Sequence, residues 1–285
     1  MSRRTLYQLV FVLSLSFGIL FAVQPLASFA QETAPTPASA ELFGTKQSHE
    51  AQIAQLQQQL LGEINAYRRA DQAFRVSKQQ YENLETLKSL EELVQATKQA
   101  MFERSRVLTT YMEILYFTLQ DTDGVNLTFK DPQIVALEDR IAELKAHTAT
   151  VEQATSRDDV NKLRDDFALL KPVIEDTSYR VMSLISIGEL QAVHDKSKLI
   201  LTDLESQLAS AEVSALKKAE RERAFAETRR SLEQVKVEID EVNQTYAGQE
   251  DLVRKQLHER VLRGLSPVYS KLSQNLSYLA ELLRV

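Results

Sequence analysis

The chain of 285 residues contains no cysteine. This absence excludes disulfide bonds, a lipid attached through a cysteine side chain, and a cysteine nucleophile. The stability of the fold must therefore come from the burial of apolar side chains, and a chain of this length can bury a substantial core.

Glycine and proline are also scarce, with seven and six residues respectively. Folds rich in β-strands need many such residues in their turns, so the scarcity argues against those folds. Leucine, alanine, glutamate, glutamine and lysine, which favour helices, are abundant. The composition therefore predicts an all-α protein built from long helices.

The chain lacks an excess of basic residues and a second long apolar run. It carries 34 basic and 40 acidic residues, for a formal net charge of -6. This balance argues against a nucleic-acid partner, whose phosphates require a basic surface. Nothing after residue 31 approaches the about 18 consecutive apolar residues of a membrane span, which disfavours a receptor that carries a signal across the membrane.

The N-terminus has the three parts of an export signal. Arg3 and Arg4 precede an apolar run over residues 6–23, and Ser28-Phe29-Ala30 is a small-x-small cleavage site. We expect a signal peptide over 1–30, a Pro/Ala/Thr linker over 31–40 and a single helical domain over 41–285. The alternative is an uncleaved single-pass anchor, since the run is just long enough to span a bilayer. Either outcome predicts an extracytoplasmic domain that is secreted, periplasmic or part of the cell envelope.

Apolar residues recur at alternating spacings of three and four along most of the chain. This pattern predicts an elongated antiparallel helical bundle with coiled-coil heptads. Two densely apolar segments, 107–119 and 181–193, are expected to pack against each other. A kink, rather than an end, is expected at Pro172, because the heptad keeps its phase across it. About five long helices are expected: 41–82, 89–120, 132–154, 156–247, and a last helix with a kink at Pro267.

Local signals predict where these helices begin. Ser89 with Glu92, and Ser156 with Asp159, are typical of the capping boxes at helix N-termini. Proline is tolerated in a first helical turn, so Asp131-Pro132 is expected to cap and begin the third helix.

The stretch LQDTDGVNLTFKDP, after the second helix, gathers acids, glycine, asparagine and proline. It does not fit a calcium loop, because with Gly124 in the sixth position Leu119 and Lys130 fill the first and twelfth, where acidic ligands are required. We interpret the stretch as a connector in which Gly124 adopts a left-handed conformation. Leu127 and Phe129 are expected to pack under the end of the bundle.

No catalytic, cofactor-binding or metal-binding residue is predicted. No histidine follows a glutamate by three residues, as a carboxylate-bridged di-metal site in a bundle requires. Glu143 and His147 share a helix face and are interpreted as a surface contact. A Gly-rich phosphate loop and a G-x-S-x-G elbow are absent. The segment 217–230, with six basic and three acidic residues, is interpreted as a solvated helix of mixed charge, the alternative being a patch for an anionic polymer or lipid.

These features predict a non-enzymatic, exported structural or protein-interaction protein, a scaffold or adaptor without a cofactor. Its partner would be another protein or a second copy of the chain, bound through helical faces. The alternative is an extracytoplasmic ligand-binding bundle of sensor type, with a pocket lined by Tyr111, Tyr116, Phe117 and Met182. A third hypothesis is a helical protein that lies on the membrane surface.

Overall fold

The computed structural model describes residues 37–209, 215–248 and 254–282, and these residues form helices without any strand. The predicted all-α class is confirmed. The predicted signal peptide and most of the linker lie outside the described residues. Within the described ranges no helix is both long and apolar enough to cross a membrane. Six helices are present there: α1 Pro37–Leu84, α2 Leu87–Asp121, α3 Leu127–Gln153, α4 Arg157–Ala209, α5 Ala215–Ala247 and α6 Arg254–Leu282.

The first half of α4 packs with α2 and α3. Helices α2 and α3 are antiparallel, since Lys98 of α2 bonds the carbonyl of Glu152 at 2.6 Å and Glu113 pairs with Lys145 at 2.8 Å. In agreement with the sequence, the apolar segments of α2 and α4 meet, where the Tyr111 hydroxyl lies 3.4 Å from the Met182 sulfur. Helix α1 runs antiparallel to α2 along its outer side, with Glu63 paired to Arg106 and His49 to Asp121.

The second half of α4 packs with α5 and α6. Helix α5 is antiparallel to α4, because the Lys236 ammonium lies 3.2 Å from the Gln191 side chain whereas Arg229 pairs with Glu205, further along α4. Helix α6 is antiparallel to α5 and therefore parallel to α4, because Gly264 of α6 lies beside Val242 of α5 whereas Lys271, further along α6, pairs with the earlier residue Glu238.

The single long helix predicted over 156–247 is therefore wrong: the chain forms two antiparallel helices, α4 and α5. Residues 210–214, SAEVS, contain no glycine, proline or asparagine to signal a turn. Apolar heptads also continue before and after residues 210–214, because the apolar sides of α4 and α5 face each other. Periodicity alone cannot distinguish one helix from two that reverse direction.

Most predicted heptad positions are buried. In α4 seven of the eight positions between 160 and 184 are buried, and Leu170 is half-buried. In α6 the Leu276 position is exposed. Fully or nearly fully buried apolar residues on the shared seams include Leu137, Leu144, Val151, Val181, Leu184, Leu232, Val235, Ile239, Leu257, Val261, Val268 and Leu272.

The helix ends confirm some predicted caps and correct others. The box of Ser156 and Asp159 is present, with the Asp159 amide donating to the Ser156 hydroxyl at 3.1 Å. Helix α2, however, begins two residues before Ser89, and its cap is Thr86, to which the Ser89 amide donates at 3.2 Å. Ser89 is thus the third residue of the helix, and Glu92 is exposed.

The prolines also differ in part from the predictions. Helix α3 begins five residues before Pro132, capped by Asn126, whose side-chain oxygen accepts from the Thr128 amide at 2.9 Å. Asparagine is a strong N-cap because its short side chain reaches the free amides of the first turn. Pro132 therefore lies in the second turn, whereas Pro172 and Pro267 lie inside unbroken helices.

Candidate functional site

The connector between α2 and α3 lies against the middle of α4 through a contact between two glycines. Gly124 has a φ of +79°, so the predicted left-handed conformation is confirmed. A Cβ placed on Gly124 would lie 2.6 Å from the Gly188 carbonyl oxygen, and one on Gly188 would lie 2.3 Å from a Val125 methyl carbon. Neither position has space for a side chain, so the two glycines allow the connector to approach the α4 backbone.

The two apolar residues that the sequence analysis assigned to this stretch, Leu127 and Phe129, lie in the first turn of α3 and differ in burial. Phe129 is half-buried and packs edge to face on Tyr246, at the end of α5, with 5.6 Å between ring centroids. Leu127 is 66% exposed, so the prediction that it packs under the bundle is wrong. Burial raises the pKa of Tyr246 to about 12, with Arg180 opposing the shift. The connector thus contacts α4 at Gly188, and the first turn of α3 contacts the end of α5.

The four residues of the alternative ligand pocket do not share one cavity. Tyr111 and Met182 meet between α2 and α4. Tyr116 instead donates to the carboxylate of Glu138 at 3.0 Å, and Phe117 packs on the ring of His49 at 5.3 Å. The side chains diverge because residues five or six positions after Tyr111 lie on other faces of the helix.

Two polar clefts lie elsewhere. The first, of about 290 Å³, is lined by Gln59, Glu63, Arg106, Thr109, Thr110, Glu113, Lys145 and Thr148. The second, of about 480 Å³, is lined by Gln133, Ala136, Asp139, Arg140, Val173, Asp176, Thr177 and Arg180. Each combines acids with bases that are already paired, such as Glu63 with Arg106 at 3.1 Å and Asp176 with Arg180 at 3.1 Å. Neither cleft therefore presents a strong charge to a ligand.

Two serine–histidine contacts have the residue types of a catalytic dyad. Ser105 lies 3.0 Å from the Nδ1 of His147, and Ser183 lies 3.0 Å from the Nδ1 of His258. Both serines are completely buried. A substrate must reach the hydroxyl of a nucleophile, and no surface of either hydroxyl is open to one. In this arrangement the pairs fasten neighbouring helices together.

Every histidine in the described residues makes such a contact between helices. His147 of α3 contacts Ser105 of α2 and donates from Nε2 to the Leu163 carbonyl of α4 at 3.3 Å. His194 of α4 lies 3.1 Å from the Leu232 carbonyl of α5. His49 lies 2.6 Å from Asp121 of α2. His147 is buried rather than a surface partner of Glu143, which pairs with Arg140, so that interpretation of the sequence is wrong.

Burial lowers the pKa of two of these histidines. Desolvation is the largest cause for His147, where Arg104 adds to the shift and the Leu163 carbonyl and Asp166 oppose it. Desolvation likewise lowers the pKa of His258, and Glu259 opposes the shift. The neutral ring is thus favoured at both junctions, because the charged form would lose its hydration.

A half-buried cation on α2, facing the ring of Phe167 on α4, was not predicted from the sequence. The Arg104 guanidinium carbon lies 3.4 Å above the ring of Phe167, an arrangement that stabilises a desolvated cation. Desolvation lowers the pKa of Arg104 to about 10, and Tyr67 opposes the shift. The position of Arg104 in the sequence indicates that it lies on the core-facing side of α2, because it follows buried Met101 by three residues and precedes buried Leu108 by four. Glu63 likewise lies on the core-facing side of α1, three residues after buried Leu60.

Other predicted features have clear positions in the structure. Residues 217–223 of the charged segment are exposed except for half-buried Arg221, and Arg223 pairs with Glu227 at 2.9 Å. Across the described ranges, no three His, Asp or Glu side chains lie close enough together to hold a metal ion. Comparison of the chain with models of protein families, with curated proteins and with solved structures found no match.

Proposed function

We propose that the chain is an exported, non-enzymatic helical scaffold that binds a protein partner through the outer face of a helix. The observation that supports this proposal best is the apolar seam of α1. This seam is the row of apolar residues on one side of α1 between Ile53 and Tyr81. Only Leu60 and Ala70 of the seam are buried. The remaining positions from 53 to 81 extend over about 42 Å of helix and are half-buried: Ile53, Leu56, Ile64, Tyr67, Phe74 and Tyr81.

The contrast with the other seams favours a binding role for α1. Between residues 160 and 184 the seam of α4 is almost completely covered by its neighbours, whereas α1 has only part of its seam covered. A further helix packed along α1 would remove the remaining apolar surface from water, which favours binding by roughly 25 cal/mol per Å² before the costs of association. Helix-in-groove recognition uses apolar anchors at this spacing.

The groups that could perform chemistry also favour binding over catalysis. The histidines and the two serines beside them are engaged in contacts between helices, and the paired acids and bases of the clefts neutralise each other. Binding through a helical face requires none of these groups. The predicted signal peptide supports a location outside the cytoplasm, where the partner would be found.

Photocrosslinking in cells that produce the chain tests the proposal. A photoreactive residue replaces half-buried Phe74 on the seam, and a matched control replaces exposed Gln72 on the same helix. We expect one discrete crosslinked protein from position 74 and none from position 72, with the partner identified by mass spectrometry. Equal crosslinking from both positions, or from neither, would contradict the proposal, as would turnover of a small substrate by the purified chain.

A further inference from the structure

The outer surface of α6 contains no charged residue between Ser266 and Ala280. Ten residues in this interval are exposed, and all are uncharged: Ser266, Pro267, Tyr269, Ser270, Ser273, Gln274, Leu276, Ser277, Tyr278 and Ala280. The one charged residue of the interval, Lys271, faces α5 and pairs with Glu238. We call these ten residues the uncharged face.

This face differs from the exposed surface of α5. Charged residues make up 26% of the chain, and the exposed part of α5 is dense in lysine, arginine and glutamate. On α6, by contrast, Tyr269 is 65% exposed, Tyr278 44% and Leu276 41%. Charged residues are depleted and tyrosine is enriched at the centre of protein interfaces, and the face shares these two properties.

Two large side chains align along one side of this face. Tyr269 and Leu276 are seven residues apart, so they lie on the same side of the helix, with half-buried Leu262 one further heptad before them. Ile200 of α4 is 40% exposed. Helices α4 and α6 are parallel, and counting equally along both from the Ser183–His258 contact brings Ile200 level with Asn275.

We propose that the uncharged face binds a second copy of the chain, with two α6 helices antiparallel about a two-fold axis near Ser273. The inference rests on the proposed function and adds one partner and one surface to it. In this arrangement Tyr269 of each copy packs on Leu276 of the other, because the two residues lie on either side of Ser273. Such a contact is isologous, as in most dimers.

Charge favours a second copy as the occupant. The chain has a net charge of -6, so two copies repel each other and must meet where no like charges are opposed. An uncharged face satisfies this condition in a two-fold contact. It offers nothing to an acidic or basic partner, whose selection depends on complementary charge. The face spans about 22 Å of helix, which is small beside the roughly 800 Å² per partner of a standard interface, so a weak, reversible dimer is expected.

Disulfide trapping of the full chain, in the form in which the expressing cell leaves it, tests this contact. The chain has no cysteine, so a single introduced cysteine reports on one position. We expect Ser273→Cys to form a covalent dimer under mild oxidation at least tenfold faster than Ala226→Cys, a control at an exposed position of α5. Equal rates, or no dimer from Ser273→Cys, would overturn the inference.

Sedimentation equilibrium of the unmodified chain and two variants provides an independent test. Tyr269→Lys is expected to raise the dimer dissociation constant at least tenfold, whereas Leu169→Lys, at an exposed apolar residue of α4, leaves it unchanged. A chain that is monomeric at every concentration would overturn the inference. If position 74 still crosslinks to another protein in that case, the proposed function is retained, so the two failures are distinguishable.

Discussion

Gly188 illustrates how a single residue determines the position of a whole connector. The backbone of the α2–α3 connector approaches α4 so closely that the only residue accommodated there is one without a Cβ. Gly62, in the middle of α1, has open space beside its Cα, since a Cβ at that position would meet no other atom within 4 Å. The same substitution should therefore have opposite effects at the two glycines.

We predict that Gly188→Ala destabilises the protein by about 1 to 3 kcal/mol, because the new methyl group collides with Val125 and Thr122. Gly62→Ala should stabilise it by about 0.5 to 1 kcal/mol, because alanine loses less conformational entropy in a helix. Urea unfolding followed by circular dichroism measures both changes. Equal effects of the two substitutions would show that the connector does not contact α4 in this way.

Two charged residues that were not predicted from the sequence occupy apolar positions, Glu63 buried and Arg104 half-buried. Arg104 and Glu63 have the heptad spacing of core residues, but a charged side chain at such a position is ordinarily expected at the surface. What makes their burial possible is the ring of Phe167 for Arg104, and Arg106 with Gln59 for Glu63. These partners lie on other helices or on another turn, so one-dimensional spacing does not reveal them.

At the scale of the helices, the repeat of apolar residues predicted which segments are helical but not where every helix ends. The start of α4 was predictable because its capping box is local, involving Ser156 and Asp159. The start of α2 was misplaced because two hydroxyl residues, Thr86 and Ser89, compete for the cap three positions apart. The end of α4 was missed because no glycine, proline or asparagine lies in 210–214 and both flanking heptads are apolar.

The cap assignment of α2 leads to a prediction. Thr86→Ala should destabilise the protein by about 1 kcal/mol, because it removes the acceptor for the Ser89 amide. Thr86→Ser retains that acceptor and should have little effect. Glu92→Ala, which removes the capping partner predicted from sequence, should change stability by less than about 0.5 kcal/mol. Chemical unfolding of the three variants decides between the assignments, and a larger loss from Glu92→Ala would contradict Thr86 as the cap.

At the scale of the whole molecule, the histidines connect helices that are distant in sequence. His147 links α2, α3 and α4, and His258 links α4 and α6. Both have a lowered pKa in the folded protein, chiefly through desolvation, although Asp166 and Glu259 oppose the shift. The ordinary histidine pKa is about 6.5. As the pH falls, the unfolded chain therefore binds protons at these sites at a higher pH than the folded chain does.

The sign of the pH dependence follows from these shifts. The contribution of the two neutral histidines to the free energy of unfolding is complete above about pH 6.5. It is lost as the pH falls from that value through the lowered folded-state pKa, at no more than about 1.4 kcal/mol per pH unit per group. We expect the free energy of unfolding to decrease from pH 7 to pH 5. His147→Gln combined with His258→Gln should flatten this dependence. An unchanged slope in the double variant would exclude these two rings as its cause.

The arrangement of the whole molecule depends on the reversal of the chain between α4 and α5. That reversal packs α6 against α4 and α5 and so produces the uncharged face. Spin labels on cysteines introduced at Lys198 and Glu233, which form an ion pair at 3.6 Å, measure it directly in a chain without other cysteines. We expect a separation within about 20 Å, since packed helices lie 8 to 10 Å apart. A separation near 52 Å, the length of about 35 residues in one continuous helix, would contradict the fold described.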